Sequence, residues 1–107
     1  AMAIGWLYDH GSWYYFGSEG MMARGWFSDG SAVYYAAPSG AMAIGWLYSN
    51  GAWYYLGSSG ARVTGWVLDG GTWYYLSYDG QMVTGRHYID GRYSVFTDSG
   101  AWVWYTF

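Results

Sequence analysis

The chain has 107 residues, 25 % of them aromatic and only 10 % charged, with nine Trp, fourteen Tyr and 18 Gly. A hydrophobic fraction of 53 % excludes disorder, and a formal charge of −3, with four Arg and no Lys, argues against nucleic acid and anionic membranes as partners. Without Cys there is neither a disulfide nor a thiolate metal site, and Gly cuts every apolar run short of the roughly 18 residues that span a bilayer, so no membrane insertion is expected.

The first predicted hairpin starts with apolar residues 3–8, turns at Asp9-His10-Gly11 and returns through the aromatic segment 12–16. Its Gly5-Trp6 is followed, seven residues after the Trp, by Trp13-Tyr14-Tyr15. The same pattern returns every 20 residues: Gly25-Trp26 with Val33-Tyr34-Tyr35, Gly45-Trp46 with Trp53-Tyr54-Tyr55, and Gly65-Trp66 with Trp73-Tyr74-Tyr75. Gly85-Arg86 with Tyr93-Ser94-Val95 is a degraded fifth copy. Asp29-Gly30, Asn50-Gly51, Asp69-Gly70 and Asp90-Gly91 are the predicted tight turns, because such pairs tolerate positive φ. Linking loops such as Gly17-Ser18-Glu19-Gly20 lead to a third anchor, Gly-x-Met, at Met22, Met42 and Met82; Arg62 and Trp102 take its place in the third and fifth copies.

Five units of about 5–24, 25–44, 45–64, 65–84 and 85–107 therefore make up a single repeat domain over 1–107. A lone hairpin is marginal in water, so the expected fold is all-β, a β-solenoid of five stacked hairpins that bury aromatic faces against their neighbours. The fifth unit, with Arg86 in place of Trp, is expected to be a C-terminal cap. Residues 1–4 copy 41–44 without the leading Gly, and residues 1–8 lack the basic start and cleavage site of a signal peptide. Both features fit the mature part of a secreted protein or a piece of a longer array.

The three anchors at fixed spacing resemble the choline-binding, or cell-wall-binding, repeat family, related to glucan-binding and clostridial toxin repeats. The resemblance covers about the whole chain. It implies a left-handed superhelix of hairpins and a secreted, cell-surface module that attaches to a bacterial cell-wall polymer, either choline-bearing teichoic acid or a glycan. It further implies aromatic boxes: the Gly-Trp tryptophan and first triplet residue of one hairpin, closed by a tyrosine of the next. Carried onto this sequence, the first box is Trp6, Trp13 and Tyr35, with Tyr34 as the alternative, and the third is Trp46, Trp53 and Tyr75. The second has Trp26 and Tyr55 but Val33, and the fourth has Trp66 and Trp73 but Val95, where Tyr93 is the substitute. Met22, Met42 and Met82 are candidate linings, and Arg62 is expected to break the pattern near the third box. Some relatives dimerise through terminal hairpins, so a homodimer is among the expectations.

The chemistry of such a box stands apart from any family. Aromatic faces carry negative quadrupole density and replace water around a quaternary ammonium, at roughly 0.5–2 kcal/mol per contact. The same rings could stack on sugars, which leaves carbohydrate binding as one alternative. The other is a structural or association module whose aromatic edges pair chains and bind no small ligand; for single rings a plain core role is the competing reading, strongest for Tyr14, Tyr54 and Tyr74. No enzyme is expected. The acids Asp9, Asp29, Asp69 and Asp90 are explained by turns, and His10 and His87 belong to no metal-spaced cluster. Catalytic residues, metal and cofactors are accordingly all expected to be none.

Overall fold

The computed structural model describes residues 5–17 and 20–103, and these form strands, turns and loops without a helix. The expectations for residues 1–4, Glu19 and residues 104–107 lie outside the described residues. Ten strands alternate as hairpin arms: β1 (Gly5–Asp9) and β2 (Ser12–Phe16), β3 (Gly25–Ser28) and β4 (Val33–Ala36), β5 (Gly45–Ser49) and β6 (Ala52–Leu56), β7 (Gly65–Asp69) and β8 (Thr72–Leu76), β9 (Gly85–Ile89) and β10 (Arg92–Phe96). A short β11 (Trp102–Val103) adds to β10, giving a three-stranded sheet in the order β11-β10-β9.

Turn chemistry sets the register. His10-Gly11, Asn50-Gly51, Gly70-Gly71 and Asp90-Gly91 all have positive φ at both residues, for example 51° and 86° at His10 and Gly11. This is the turn whose twist matches that of the strands it joins. The expected Asp69-Gly70 turn is thus displaced by one residue, because two adjacent glycines meet both positive-φ positions without strain. At the turn of the second hairpin Gly30 has positive φ (96°) and the following Ser31 does not. There the glycine leads the pair, and Asp29 is freed from the turn centre to follow the last residue of β3, where its N–H donates to the Ala32 carbonyl at 3.3 Å.

Two compact units make up the chain: Ala1–Leu47 with Leu56–Arg62, and Tyr48–Tyr55 with Val63–Phe107. In the first, Trp6 stands opposite Tyr15, and Trp26 opposite Tyr35. Side chains alternate across a strand, so Trp6 and Tyr15 share one face of their hairpin while Phe27 and Tyr34 share the other face of the next. These two faces pack together. Tyr15 stacks on Phe27 at 5.2 Å, and Trp6 meets Phe27 at 5.7 Å and Tyr34 at 4.8 Å. Leu56 and Ala36 are fully buried in this unit.

In the second unit the same role falls to Leu76 and Phe96, both buried, and Ser94, two residues before Phe96, is buried as well. Trp66 stands opposite Tyr75 and meets Phe96 at 5.7 Å. Elsewhere the Gly-x-Met element makes one isolated bridge per copy, at Phe16 to Met22, Ala36 to Met42, Leu56 to Arg62 and Leu76 to Met82. The matching Phe96 to Trp102 bridge is extended by Val95 to Val103 into a real strand pair.

Candidate functional site

Each hairpin first arranges its own rings. Trp6 lies edge-on to Tyr15 at 5.0 Å and 64°, Trp26 to Tyr35 at 5.1 Å and 69°, and Trp66 to Tyr75 at 5.1 Å and 71°. The repetition follows from the ladder, because each Trp is the direct cross-strand partner of the last triplet tyrosine. Tyr35 and Tyr75 are therefore taken up by their own hairpins. The expectation that Tyr35 closes the first box is corrected: the wall is Tyr34, whose side chain leaves the strand on the opposite face and reaches Trp6. Alternation along the triplet was the signal that could have chosen it.

The first pocket, in the first unit, is a cavity of about 300 Å³ lined by Trp6, Trp13, Tyr34, Met42, Ser58 and Ser59. Trp6 and Trp13 stand edge to face at 6.5 Å and 83°. Trp13 is 44 % exposed, so its ring is open to a ligand. Met42 is brought in by its N–H, which donates to the Trp13 carbonyl at 2.9 Å. Its sulfur passes so close to Gly60 that a Cβ there would collide with it, so the glycine makes room for the thioether. Met22 is not among the lining residues; it lies in the same way against Gly40. Ser58 and Ser59 were missed because a Gly-Ser-Ser-Gly loop reads as a connector.

Trp6 is also tied down. Its indole N–H donates to Asp29 Oδ2 at 3.1 Å, while Oδ1 accepts from the Ser31 N–H at 2.9 Å, the Ser31 hydroxyl at 2.8 Å and the Ala32 N–H at 3.1 Å. These donors, the Ser31 backbone first, hold the Asp29 carboxyl well below the usual carboxylate range. Turn chemistry explains half of this residue and its bond to Trp6 the other half.

A second pocket, of about 340 Å³, lies in the second unit and is lined by Trp66, Trp73 and Trp102. Trp66 and Trp73 repeat the geometry of Trp6 and Trp13, at 6.3 Å and 86°. The third wall is Trp102, 6.1 Å from Trp66 and nearly perpendicular to it. Tyr93, the expected substitute, instead pairs with Tyr88 at 4.9 Å and lies under the Arg86 guanidinium at 4.1 Å. Of the remaining expected residues, Trp46 lies on β5 and Trp53 on β6, where Trp53 is 42 % exposed and packs on Tyr48 at 5.2 Å. Met82 donates its N–H to the Trp53 carbonyl at 2.8 Å and lies against Gly100. Arg62, expected beside the third box, has its guanidinium over Trp26 of the second copy, 5.4 Å from the ring centroid. Among the described residues there is no cluster of His, Cys, Asp and Glu that could hold a metal.

Aromatic rings repeated on hairpins, with a Met or its substitute in fixed register, match a family model described as the choline-binding repeat at residues 3–46 and 43–86. The chain belongs to the choline-binding repeat family. This is a family of binding modules rather than enzymes. No curated protein sequence matches the chain. Among solved structures it is similar to CbpJ of Streptococcus pneumoniae TIGR4, at 45 % identity and a TM-score of 0.90 over 94 % of this chain and 35 % of that one. It is similar to CbpF, solved with ipratropium, at 46 % and 0.90 over 94 % and 33 %. The multimodular pneumococcal cell wall endolysin from phage Cp-1, complexed with choline, matches at 34 % and 0.78 over 96 % of this chain and 31 % of that one. The chain thus spans about a third of the length of these relatives. The all-β hairpin architecture of this chain is matched in the covered third of each of them.

Proposed function

We propose that this choline-binding repeat domain holds the trimethylammonium group of choline in aromatic pockets and so attaches the protein that carries it to a bacterial cell-wall polymer. The observation that carries the reading is the first pocket. Trp6, Trp13 and Tyr34 present three π systems around a cavity of about 300 Å³, with the Met42 thioether beside them and no charged group in the lining. A quaternary ammonium cannot donate a hydrogen bond, so it is recognised by ring faces rather than by carboxylates or carbonyls. Three contacts of roughly 0.5–2 kcal/mol each come to a few kcal/mol, near the ~4 kcal/mol of millimolar binding. Weak sites on one scaffold suit a polymer that repeats its ligand, where avidity adds about 10²–10⁴.

The pneumococcal endolysin of phage Cp-1 was solved with choline, and choline binding protein F in the presence of a peptidoglycan analogue; both support a cell-wall target. On this reading the five hairpins wind as one β-solenoid domain over 1–107, carried on a secreted surface protein. Titration of intrinsic Trp fluorescence with choline, set against glucans, tests the proposal. Saturation by choline at millimolar concentrations, weakened by Trp6→Ala, supports it. Saturation by a glucan alone sinks it.

A further inference from the structure

The face of Trp26 that the repeat offers to a cation already carries one. The Arg62 guanidinium lies 5.4 Å from the Trp26 ring centroid, within cation–π reach. The backbone puts it there. Arg62 N–H donates to the Val33 carbonyl at 2.7 Å, as Met42 N–H donates to Trp13 at 2.9 Å and Met82 N–H to Trp53 at 2.8 Å. Arg62 also bridges Leu56 as Met42 bridges Ala36. It therefore stands to Trp26 and Val33 as Met42 stands to Trp6 and Trp13.

The two departures from the pattern complement each other. Val33 gives up the ring that stands second in the other sets, and the longer Arg62 covers the remaining indole. The indole face of Trp26 lies in cation–π contact with the Arg62 guanidinium. A guanidinium is planar and weakly hydrated, which suits it to half-buried stacking on a ring. Both residues are half-buried.

We infer that the second aromatic set is occupied by the chain's own guanidinium and closed to an outside quaternary ammonium, so that Arg62 decides which copies of the repeat take ligand. This rests on the choline reading for the identity of the excluded ligand, not for the contact itself. An incoming cation would have to expel Arg62 into water or sit beside a like charge, and both weaken binding. The junction keeps its cation whether or not ligand is present.

The test compares the 107-residue chain with its R62M, R62Q and V33W/R62M variants, counting choline equivalents by equilibrium dialysis and following Trp emission with and without choline. R62Q removes the charge while keeping a polar chain, and serves if R62M folds poorly. Opening the set adds one choline equivalent in V33W/R62M, and a weaker site, about tenfold or more lower in affinity, in R62M. W26F weakens the added site but leaves the wild-type count unchanged. A wild-type count that falls on W26F overturns the inference, as does an unchanged count in all folded Arg62 variants while the wild type binds choline. If the wild type and every variant bind no choline, the proposed function fails while the contact is still decided. A ligand-free emission change on R62Q that vanishes in the W26F background then upholds the Arg62 occupancy, and its absence refutes it.

Discussion

The two pockets start from the same pair of tryptophans and are closed by different means. In the first unit Phe27, Tyr34, Ala36 and Met42 supply the facing surface; the residues in the same register of the second unit are His87, Ser94, Phe96 and Trp102. Aromatic mass has moved from the body of the hairpin to its end. Tyr34 becomes a buried Ser94, and the vacated volume is taken by Phe96, 3 % exposed where Ala36 is 1 % exposed. Met42 becomes Trp102, which turns an isolated bridge into a strand pair and supplies the ring that Ser94 cannot. What the two units share is a ring-walled cavity beside the Trp pair, not any particular residue in its wall. A core tolerates such exchanges when total volume is kept.

The pockets also differ in how their first tryptophan is held. Trp6 is tied to Asp29, which in the register of the second unit is Ile89, a side chain without an acceptor. The Trp102 indole nitrogen is buried without a hydrogen-bond partner among the described residues. One pocket is thus anchored by polar bonds and open to serine hydroxyls, while the other is walled by three indoles. We expect the first to be the better-defined site.

Removing Trp102 is the most severe way to break the comparison. Trp102→Ala should cost about 3 kcal/mol, abolish the second pocket and leave choline binding by the first unit in place. Thermal unfolding followed with and without choline reads both effects, and a variant as stable as the wild type would show that Trp102 is not a wall. Ser94→Tyr restores the ring of the first unit where Phe96 and Trp102 already fill the space. Overpacking should destabilise it by about 1–3 kcal/mol, a loss that Phe96→Ala partly relieves in the double variant. Additive losses would mean that the two positions do not share one volume.

Tyr34 and Tyr35 give a sharper contrast at smaller cost. Tyr34→Leu removes a π wall and should weaken choline by about 2–30-fold, the worth of one contact of roughly 0.5–2 kcal/mol. Tyr35→Leu should leave the affinity of the first pocket alone and show itself mainly in stability. Equal losses of affinity would contradict the assignment of Tyr34 to the pocket. The smallest effect belongs to Asp29→Asn, which loosens Trp6 and should lower affinity only a few-fold. The acid titration is more telling. The folded-state carboxyl of Asp29 titrates below its ordinary range, so its stabilisation is whole above about pH 4 and is lost only as pH falls toward the folded-state value. Trp6 emission should therefore hold through pH 4 in the wild type and lack that acid transition in Asp29→Asn.

The sequence by itself determined the strands, their 20-residue step and the Trp pairs, because turn chemistry and side-chain alternation act over a few residues and repeat with each copy. It also contained the choice of Tyr34 over Tyr35, since neighbours in a strand face opposite ways. It could not say that Asp29 would reach Trp6, that Arg62 would cover Trp26 or that Trp102 would wall the last pocket. Each of these joins residues far apart in the chain, 23 positions in the case of Trp6 and Asp29. The same Met position admits a thioether, a guanidinium or an indole, and nothing local chooses the ring that each will touch. Only packing one hairpin face on the next decides that, because the space left by one substitution is taken by another, from the same copy at Ser94 and Phe96 or from the next at Val33 and Arg62.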